Sequence, residues 1–287
     1  MAAHPSIRLK SSGHIATIEP DPYQDGAYIL DVDGTPQSHV FPDHPDELFF
    51  EYVRRIGHVV DCLAPAGKPI TAVHLGGGAL TLPRYVAATR PGSRQQVIEL
   101  EADLIDFVRE HLPLPKDASI RIRYGDAREV LGKLPAGLVG TVDLVVVDIY
   151  SGARTPAHVT SLEFFTAVSR LLSPTGVIVI NAADGPGLAF VRSQVATLRV
   201  VVPEVLALAE AQVLKGRRFG NVVLVGSTRN NLVDWMPRLM AGGPHPARVL
   251  SGSEIKSFVG DAPLVTDNTA IDSPTPQKTI FQTAKRS

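Results

Sequence analysis

The sequence predicts an α/β fold: a doubly wound, mostly parallel sheet preceded by a small N-terminal antiparallel β unit. Three observations carry that expectation. From residue 70 to 226 short apolar segments alternate with stretches of helical period, the pattern of repeated βα units. Segments such as Leu144-Val145-Val146-Val147 are apolar throughout, as strands covered on both faces require. And Ala72-Val73-His74-Leu75 runs into Gly76-Gly77-Gly78 before a helical pattern begins, a strand–glycine–helix junction of the kind that opens nucleotide-binding sheets.

Along the chain, Ile15-Ala16-Thr17-Ile18 and Ala27-Tyr28-Ile29-Leu30 are strand-like, and Asp31-Val32-Asp33-Gly34 fits a hairpin turn because Asp-Gly tolerates the positive φ such turns need. Leu48, Tyr52, Ile56 and Val59/Val60 recur at spacings of 3 to 4 and predict a helix within 45–63. Ala64-Pro65-Ala66-Gly67-Lys68-Pro69 reads as a boundary. Strands are then expected at about 71–76, 95–100, 119–124, 142–148, 174–181 and 219–226. Helices between them bring Leu104, Ile105, Val108 and Leu112 onto one face, then Leu162, Phe165, Val168 and Leu172, then Leu188, Val191, Val195 and Leu198. Thr160-Ser161-Leu162-Glu163 has the form of a capping box. The expected organisation is a hairpin unit with its connecting helix over 1–65, a nucleoside-binding domain over 66–229 and a C-terminal extension over 230–287. About the last 10 residues of that extension are expected to be mobile.

Composition narrows the function. The chain is 44% apolar and 20% charged, with 28 Lys+Arg against 29 Asp+Glu and a net charge of −1. That balance gives no general attraction to nucleic acid or membrane surfaces. Arg121/Arg123 and Lys215/Arg217/Arg218 read as solvated faces. A single cysteine, Cys62, rules out an intrachain disulfide framework. No apolar run approaches the ~18 residues that cross a bilayer, and Met1-Ala2-Ala3-His4-Pro5 lacks the apolar core of a secretion signal. A cytoplasmic protein is expected. No His-Glu-x-x-His or paired-cysteine pattern suggests a metal, and no Gly-x-Ser-x-Gly elbow or phosphate-binding Gly-Lys-Ser/Thr loop occurs. His74, inside the first strand of the series, reads as a core histidine, and Glu101 and Asp103 as solvated acids at a helix start.

The chemistry-bearing residues stand at strand ends. Gly76, Gly77 and Gly78 allow close backbone approach, and the helix after them offers unpaired N–H groups to an anionic ligand group. Glu99 closes the second strand, where a carboxylate accepts hydrogen bonds from vicinal ribose hydroxyls. The same spacing fits a nicotinamide-binding fold. Asp126, after Gly125, can accept from an adenine amino group, cap a helix, or do both. Asp148 ends the run Val145-Val146-Val147, where desolvating a carboxylate needs a compensating role. After it, Ile149 through His158 form a long connection able to close over a substrate. The series reads as a site for an adenosine-containing cofactor.

With these residues in view, the chain resembles the spermidine synthase (polyamine aminopropyltransferase) family, which has the Rossmann-like class I methyltransferase fold, over roughly residues 13–226. Asp33-Gly34-Thr35-Pro36-Gln37 resembles an Asp-Gly-x-x-Gln motif whose glutamine, here Gln37, lies beside the nucleoside. Tyr52-Val53-Arg54-Arg55-Ile56-Gly57-His58 is similar to a Tyr-x-Glu-Met-x-x-His helix, with Arg54 in place of the acid. The glycines match a Gly-Gly-Gly-Asp-Gly loop that continues here as Ala79-Leu80, and Gly125-Asp126-Ala127 matches the adenine-binding turn. Asp148-Ile149-Tyr150-Ser151 falls on an Asp-x-x-Asp motif, with Ser151 at the position of the second acid. Pro156 through Phe165 resembles the gatekeeping loop and its helix. The resemblance implies transfer of an aminopropyl group from decarboxylated S-adenosylmethionine to a small amine, in polyamine biosynthesis, without a metal. It implies catalytic roles for Asp148 and Tyr52, donor-binding roles for Gln37, His58, Gly76, Gly77, Gly78, Glu99, Asp126 and Ala127, and a possible homodimer. A neutral Ser151 cannot act as an equivalent base, so three further readings stay open: methyl transfer from S-adenosylmethionine to a small molecule, a non-catalytic nucleoside-binding relative, and a nicotinamide dehydrogenase.

Overall fold

In the computed structural model, which describes residues 4–228 and 232–275, the N-terminal unit is a four-stranded antiparallel meander in the order β1-β2-β3-β4. Its strands are β1 (Ser6–Arg8), β2 (Ile15–Pro20), β3 (Tyr28–Val32) and β4 (Thr35–Val40). The β3–β4 turn is the expected one: Asp33 and Gly34 take φ of 50° and 80°, the pair of positive angles a two-residue hairpin demands.

Helix α1 (Glu51–Leu63) leads into the alternation. It runs β5 (Thr71–Leu75), α2 (Thr81–Thr89), β6 (Arg94–Glu99), α3 (Ala102–His111), β7 (Ser119–Tyr124), α4 (Ala127–Leu131), β8 (Val142–Val147) and α5 (Leu162–Ser169). Then follow β9 (Leu172–Asp184), α6 (Ala189–Val201), β10 (Glu204–Glu210), α7 (Ala211–Leu214) and β11 (Gly220–Ser227). Last come α8 (Met236–Gly242), β12 (Ala247–Leu250) and α9 (Gly252–Val259). The large sheet has the order β12-β10-β11-β9-β8-β5-β6-β7. Neighbours from β9 to β7 pair in parallel, while β11 is antiparallel to β9 and to β10, and β12 to β10. The chain steps outward from β5 to β6 and β7, then returns to β8 on the other side. The strand order therefore reverses between β5 and β8, and a crevice opens beyond their carboxyl ends.

Apolar side chains of α1, α2 and α8 cover one face of the sheet, with Ile56, Val60 and Val86 against Leu144, Val146 and Val225. Those of α5, α6 and α9 cover the other, with Phe164, Phe165 and Val195 against Val145 and Ile178. No helix among the described residues is long and apolar enough to cross a membrane.

Four expectations are corrected. β10 has no counterpart in the sequence reading: Glu204-Val-Leu-Ala-Leu-Ala-Glu210 is built of residues that favour helices, yet its wholly buried middle pairs with strands on both sides. The cap of α5 is Ser161 rather than Thr160, its Oγ accepting from Phe164 N at 3.2 Å. Glu163 turns instead to the backbone N–H of Asp267 at 3.0 Å. Glu101 is not solvated; it is 8% exposed and accepts from the N–H groups of Ser12 and Ser11 at 2.7 and 3.2 Å. Beside it Asp103 pairs with Lys10 at 2.8 Å. The two acids thus pin the β1–β2 turn while Leu9, Ile18 and Leu30 pack on Leu104, Phe107 and Val108 of α3. The stretch read as a C-terminal extension supplies β12, the edge of the large sheet; the residues expected to be mobile lie outside the described ones.

Removing the Glu101 carboxylate would leave two backbone donors without acceptors. Glu101→Ala should cost about 1–3 kcal/mol in denaturant unfolding. Glu129→Ala, which loses only an exposed pairing with Lys133, should stay within about 0.5 kcal/mol of the parent.

Candidate active site

Backbone geometry at the end of β5 builds the first wall of the crevice. Gly76 has φ of 97°, and an added Cβ would collide with the Asp148 carbonyl oxygen. Only glycine fits there. The N–H of Gly77 donates to Glu99 Oε2 at 2.7 Å, and that of Glu101 to Glu99 Oε1 at 3.0 Å. The Glu99 carboxylate is thereby held in one orientation with lone pairs left over. A Cβ on Gly78 would stand 2.6 Å from Ser38 Oγ, and this hydroxyl accepts from Ala79 N at 3.1 Å. Strand β4 therefore seats directly on the glycine loop.

Asp126 does two jobs. Its Oδ1 caps α4, accepting from Arg128 N and Glu129 N at 2.9 and 3.1 Å, and its Oδ2 lies 2.7 Å from His158 Nε2. Burial pushes its pKa up, but the Glu129 N–H, the His158 ring and the Arg128 N–H outweigh that, and the net shift is downward.

Asp148 is governed by the opposite balance. Its carboxyl stands at the crevice floor, where burial raises the pKa to about 6. A hydrogen bond from Asn181 Nδ2 at 2.9 Å and the neighbouring Tyr52 hydroxyl act in the other direction without restoring the ordinary value. Asn181, on β9, is itself oriented by Asn221 of β11, whose Nδ2 donates to Asn181 Oδ1 at 2.9 Å. Tyr52 is pushed well above the usual phenol range by burial, then by Asp148 and Tyr150. It stays a neutral hydroxyl, able to donate to the carboxylate or to a ligand.

One crevice is lined by Gln37, Tyr52, Gly76, Gly77, Gly78, Glu99, Asp126, Ala127 and Asp148 together, and by Ser151. Gln37 Nε2 reaches the Gly152 carbonyl at 3.4 Å, joining β4 to the connection after β8. His58 is not among the lining residues and needs correction. It lies six positions beyond Tyr52, about one and two-thirds helical turns, so it leaves on another side of α1. There an added Cβ on Gly242 of α8 would meet its ring at 2.8 Å, and its Nδ1 is 4.0 Å from Asp61. Val53, next to Tyr52, lines the crevice instead. His74 is a buried core histidine as expected; burial lowers its pKa to about 4, and Nε2 lies 2.9 Å from Gln95 Oε1. Among the described residues no cluster of metal-ligating side chains occurs.

The connection 149–161 is held from outside by the segment 265–273. Thr155 N donates to Ser273 Oγ at 2.8 Å, Ser273 N to the Thr155 carbonyl at 3.0 Å, and Ala157 N to Asp272 Oδ1 at 2.9 Å. Leu162 N donates to the Val265 carbonyl at 2.8 Å. Arg128 grips both oxygens of Asp267 at 2.7 and 2.6 Å and the His158 carbonyl at 3.0 Å. Asn181, Asn221 and this strap are what sequence reasoning missed. The asparagines did leave a signal, as polar residues at the open ends of apolar strands; the strap left none.

Comparison with known proteins finds relatives of the fold. The family model described as the spermine/spermidine synthase domain matches residues 49–196. The structure of a probable spermidine synthase from Corynebacterium glutamicum has a TM-score of 0.81 at 31% identity, over 93% of this chain and 97% of that one. A polyamine aminopropyltransferase of Vibrio vulnificus is 28% identical over 149 residues, 50% of this chain and 48% of the relative. This chain thus matches about half the length of that relative. Human methyltransferase-like protein 13, solved in complex with SAH, shares the fold at a TM-score of 0.50 and 17% identity, over 66% of this chain and 89% of that one.

Two outcomes follow from the electrostatics and the strap. A carboxylate raised to about 6 from 3.8 weakens the fold progressively as pH rises from about 4 to about 6, since the folded state must then give up a proton the site prefers to keep. Asp148→Asn should therefore raise stability by about 2 kcal/mol at pH 7.5, an advantage that vanishes below about pH 4 in thermal melts. The pair Asp272→Ala and Ser273→Ala should speed amide hydrogen exchange at Thr155 and Ala157 by tenfold or more, with β5 amides unchanged.

Proposed function

The chain belongs to the spermine/spermidine synthase family, and from its crevice we propose an aminopropyl transfer from decarboxylated S-adenosylmethionine to a small amine. The observation that carries the choice of donor is the charge of the lining. Asp148 stands at the reacting end, and no lysine or arginine lines the crevice among the described residues. A donor ending in a cation suits that wall; one ending in a carboxylate finds no countercharge.

The donor's ribose hydroxyls would rest on Glu99, its adenine beside Asp126 and Ala127, and its sulfonium between the glycine loop and Asp148. The attacking amine arrives unprotonated, which a solution pKa near 10 makes uncommon in water. Tyr52 and Asp148 orient it. Its nitrogen lone pair forms a bond to the carbon next to sulfur, the carbon–sulfur pair returns to sulfur as a neutral thioether, and the ammonium proton passes to Asp148. A carboxyl with pKa about 6 is ionised at neutral pH and more basic than an ordinary one. Ser151 stays neutral and takes no proton.

A side-by-side calorimetric titration tests the donor. The decarboxylated form should bind at least tenfold tighter than S-adenosylmethionine, about 1.4 kcal/mol. Preference for the intact form would move the reading to methyl transfer, and binding of neither would remove the nucleoside site. Asp148→Asn should lower kcat by roughly 10²–10⁴-fold, a larger loss than that in affinity for the decarboxylated donor, whose cation it deprives of a countercharge. In the parent enzyme kcat should fall as pH drops below about 6, the value at which Asp148 takes up its proton. Glu99→Ala should weaken both adenosyl forms alike.

A further inference from the structure

The fold treats the two carboxyl oxygens of Asp148 differently. Oδ1 accepts from Asn181 Nδ2 at 2.9 Å, and no side-chain amide among the described residues reaches Oδ2. The sheet builds this asymmetry. Val147 pairs with Ile180 in the parallel β8–β9 ladder, so Asp148, the next residue, stands beside Asn181. In the antiparallel β9–β11 ladder Asn181 pairs with Val223, and Ala183 with Asn221. Asn181 and Asn221 are therefore diagonal neighbours within side-chain reach. Val146, Val179 and Val223 each lie two positions from one of the three polar residues and pack in the cluster that contains α1. Strand alternation puts all three polar groups on that face.

Chemistry then sets the direction of the hydrogen bonds. An ionised carboxylate only accepts, so Asn181 must offer it the amide nitrogen and turn its oxygen away. Asn221 Nδ2 donates to that oxygen at 2.9 Å and opposes rotation of the Asn181 amide. Protonated Asp148 can also donate. An untethered Asn181 would then turn its oxygen inward and hold the proton on Oδ1. Neither asparagine lines the crevice. The other titratable groups facing Asp148 are neutral: burial pushes Tyr52 of α1 and Tyr150 of the connection well above the usual phenol range, and lowers His74 of β5 to about 4.

We propose that Asn221 is a positioning residue which, acting through Asn181, keeps Asp148 Oδ2 as the oxygen that takes the acceptor's proton. The inference deepens the aminopropyl-transfer reading and rests on it. In that step the acceptor nitrogen gains the aminopropyl carbon, sulfur keeps the bonding pair as the thioether, and the proton passes to Oδ2.

Asn221→Leu keeps the shape of a half-buried side chain and removes the donor. The full chain is supplied with decarboxylated S-adenosylmethionine and either 1,4-diaminobutane or n-pentylamine, whichever the parent uses better. The variant should release 5′-methylthioadenosine with kcat lowered about tenfold, while KM for the donor stays within about twofold. An Asn181 oxygen turned towards Asp148 favours the protonated carboxyl. The protonation midpoint of Asp148, followed by the carboxyl-carbon NMR signal that Asp148→Asn lacks, should therefore rise by about half a pH unit or more. In an Asn181→Leu background, adding Asn221→Leu should change neither kcat nor the midpoint further, because the two side chains act in series. An unmoved midpoint in Asn221→Leu, or a second loss in the double variant as large as that in the single one, overturns the inference and leaves the transferase reading standing. Release with neither amine in the parent overturns that reading and the inference with it.

Discussion

The absent side chain at Gly76 is the constraint on which the site depends. Because nothing projects there, the loop leaving β5 lies directly over the Asp148 carbonyl. The strand ends can then lock together beyond their ladders: Asp148 N donates to the Leu75 carbonyl, Gly76 N to that of Ile98 and Gly125 N to that of Glu99, each at 2.9 Å. Four carboxyl-edge loops share one backbone register as a result. Glu99, Asp126 and Asp148 inherit their separations from that register rather than from flexible side chains, which is what the proposed transfer would require of a donor and a base.

Both ends of the chain close on this edge. From the N-terminal side, Ser38 takes the Ala79 N–H and Gln37 reaches Gly152. From the C-terminal side, Asp272 and Ser273 take backbone donors of the connection after Asp148. The meander has little core of its own and is fastened by Glu101 and α3. It is better understood as one wall of the crevice than as an appendage. The strap likewise fixes a connection that, left to its own sequence of Ser151-Gly152-Ala153-Arg154, would have few reasons to hold one conformation.

What could be read in the sequence was whatever a local pattern encodes. The parallel strands announce themselves as apolar runs, the β3–β4 turn as Asp33-Gly34, and the crevice at the carboxyl edge as glycines followed by acids at strand ends. The misses have a common cause, since each depends on partners far away in the chain. Glu204–Glu210 becomes a strand because two neighbouring strands hydrogen-bond it, against the helical preference of its residues. Glu101 looks like a solvated helix-start acid until the β1–β2 turn, some 90 residues earlier, delivers two N–H groups to it. His58 matched a motif by spacing, but spacing on a helix fixes only an angle, and α8 occupies the side to which that angle points.

The choice of partner for Asp148 explains how a destabilising residue serves the site. A lysine or arginine beside it would repay its burial more fully, but would hold the carboxylate ionised with a depressed pKa. It would also place a cation where, in the proposed reaction, an amine that turns cationic on bond formation must approach. Asn181 donates one neutral hydrogen bond, enough to fix the direction of the carboxyl and too little to cancel the effect of burial. Asn221 keeps that amide from turning. The carboxyl is thus oriented yet remains hungry for a proton, and the resulting loss of stability is the physical counterpart of its basicity.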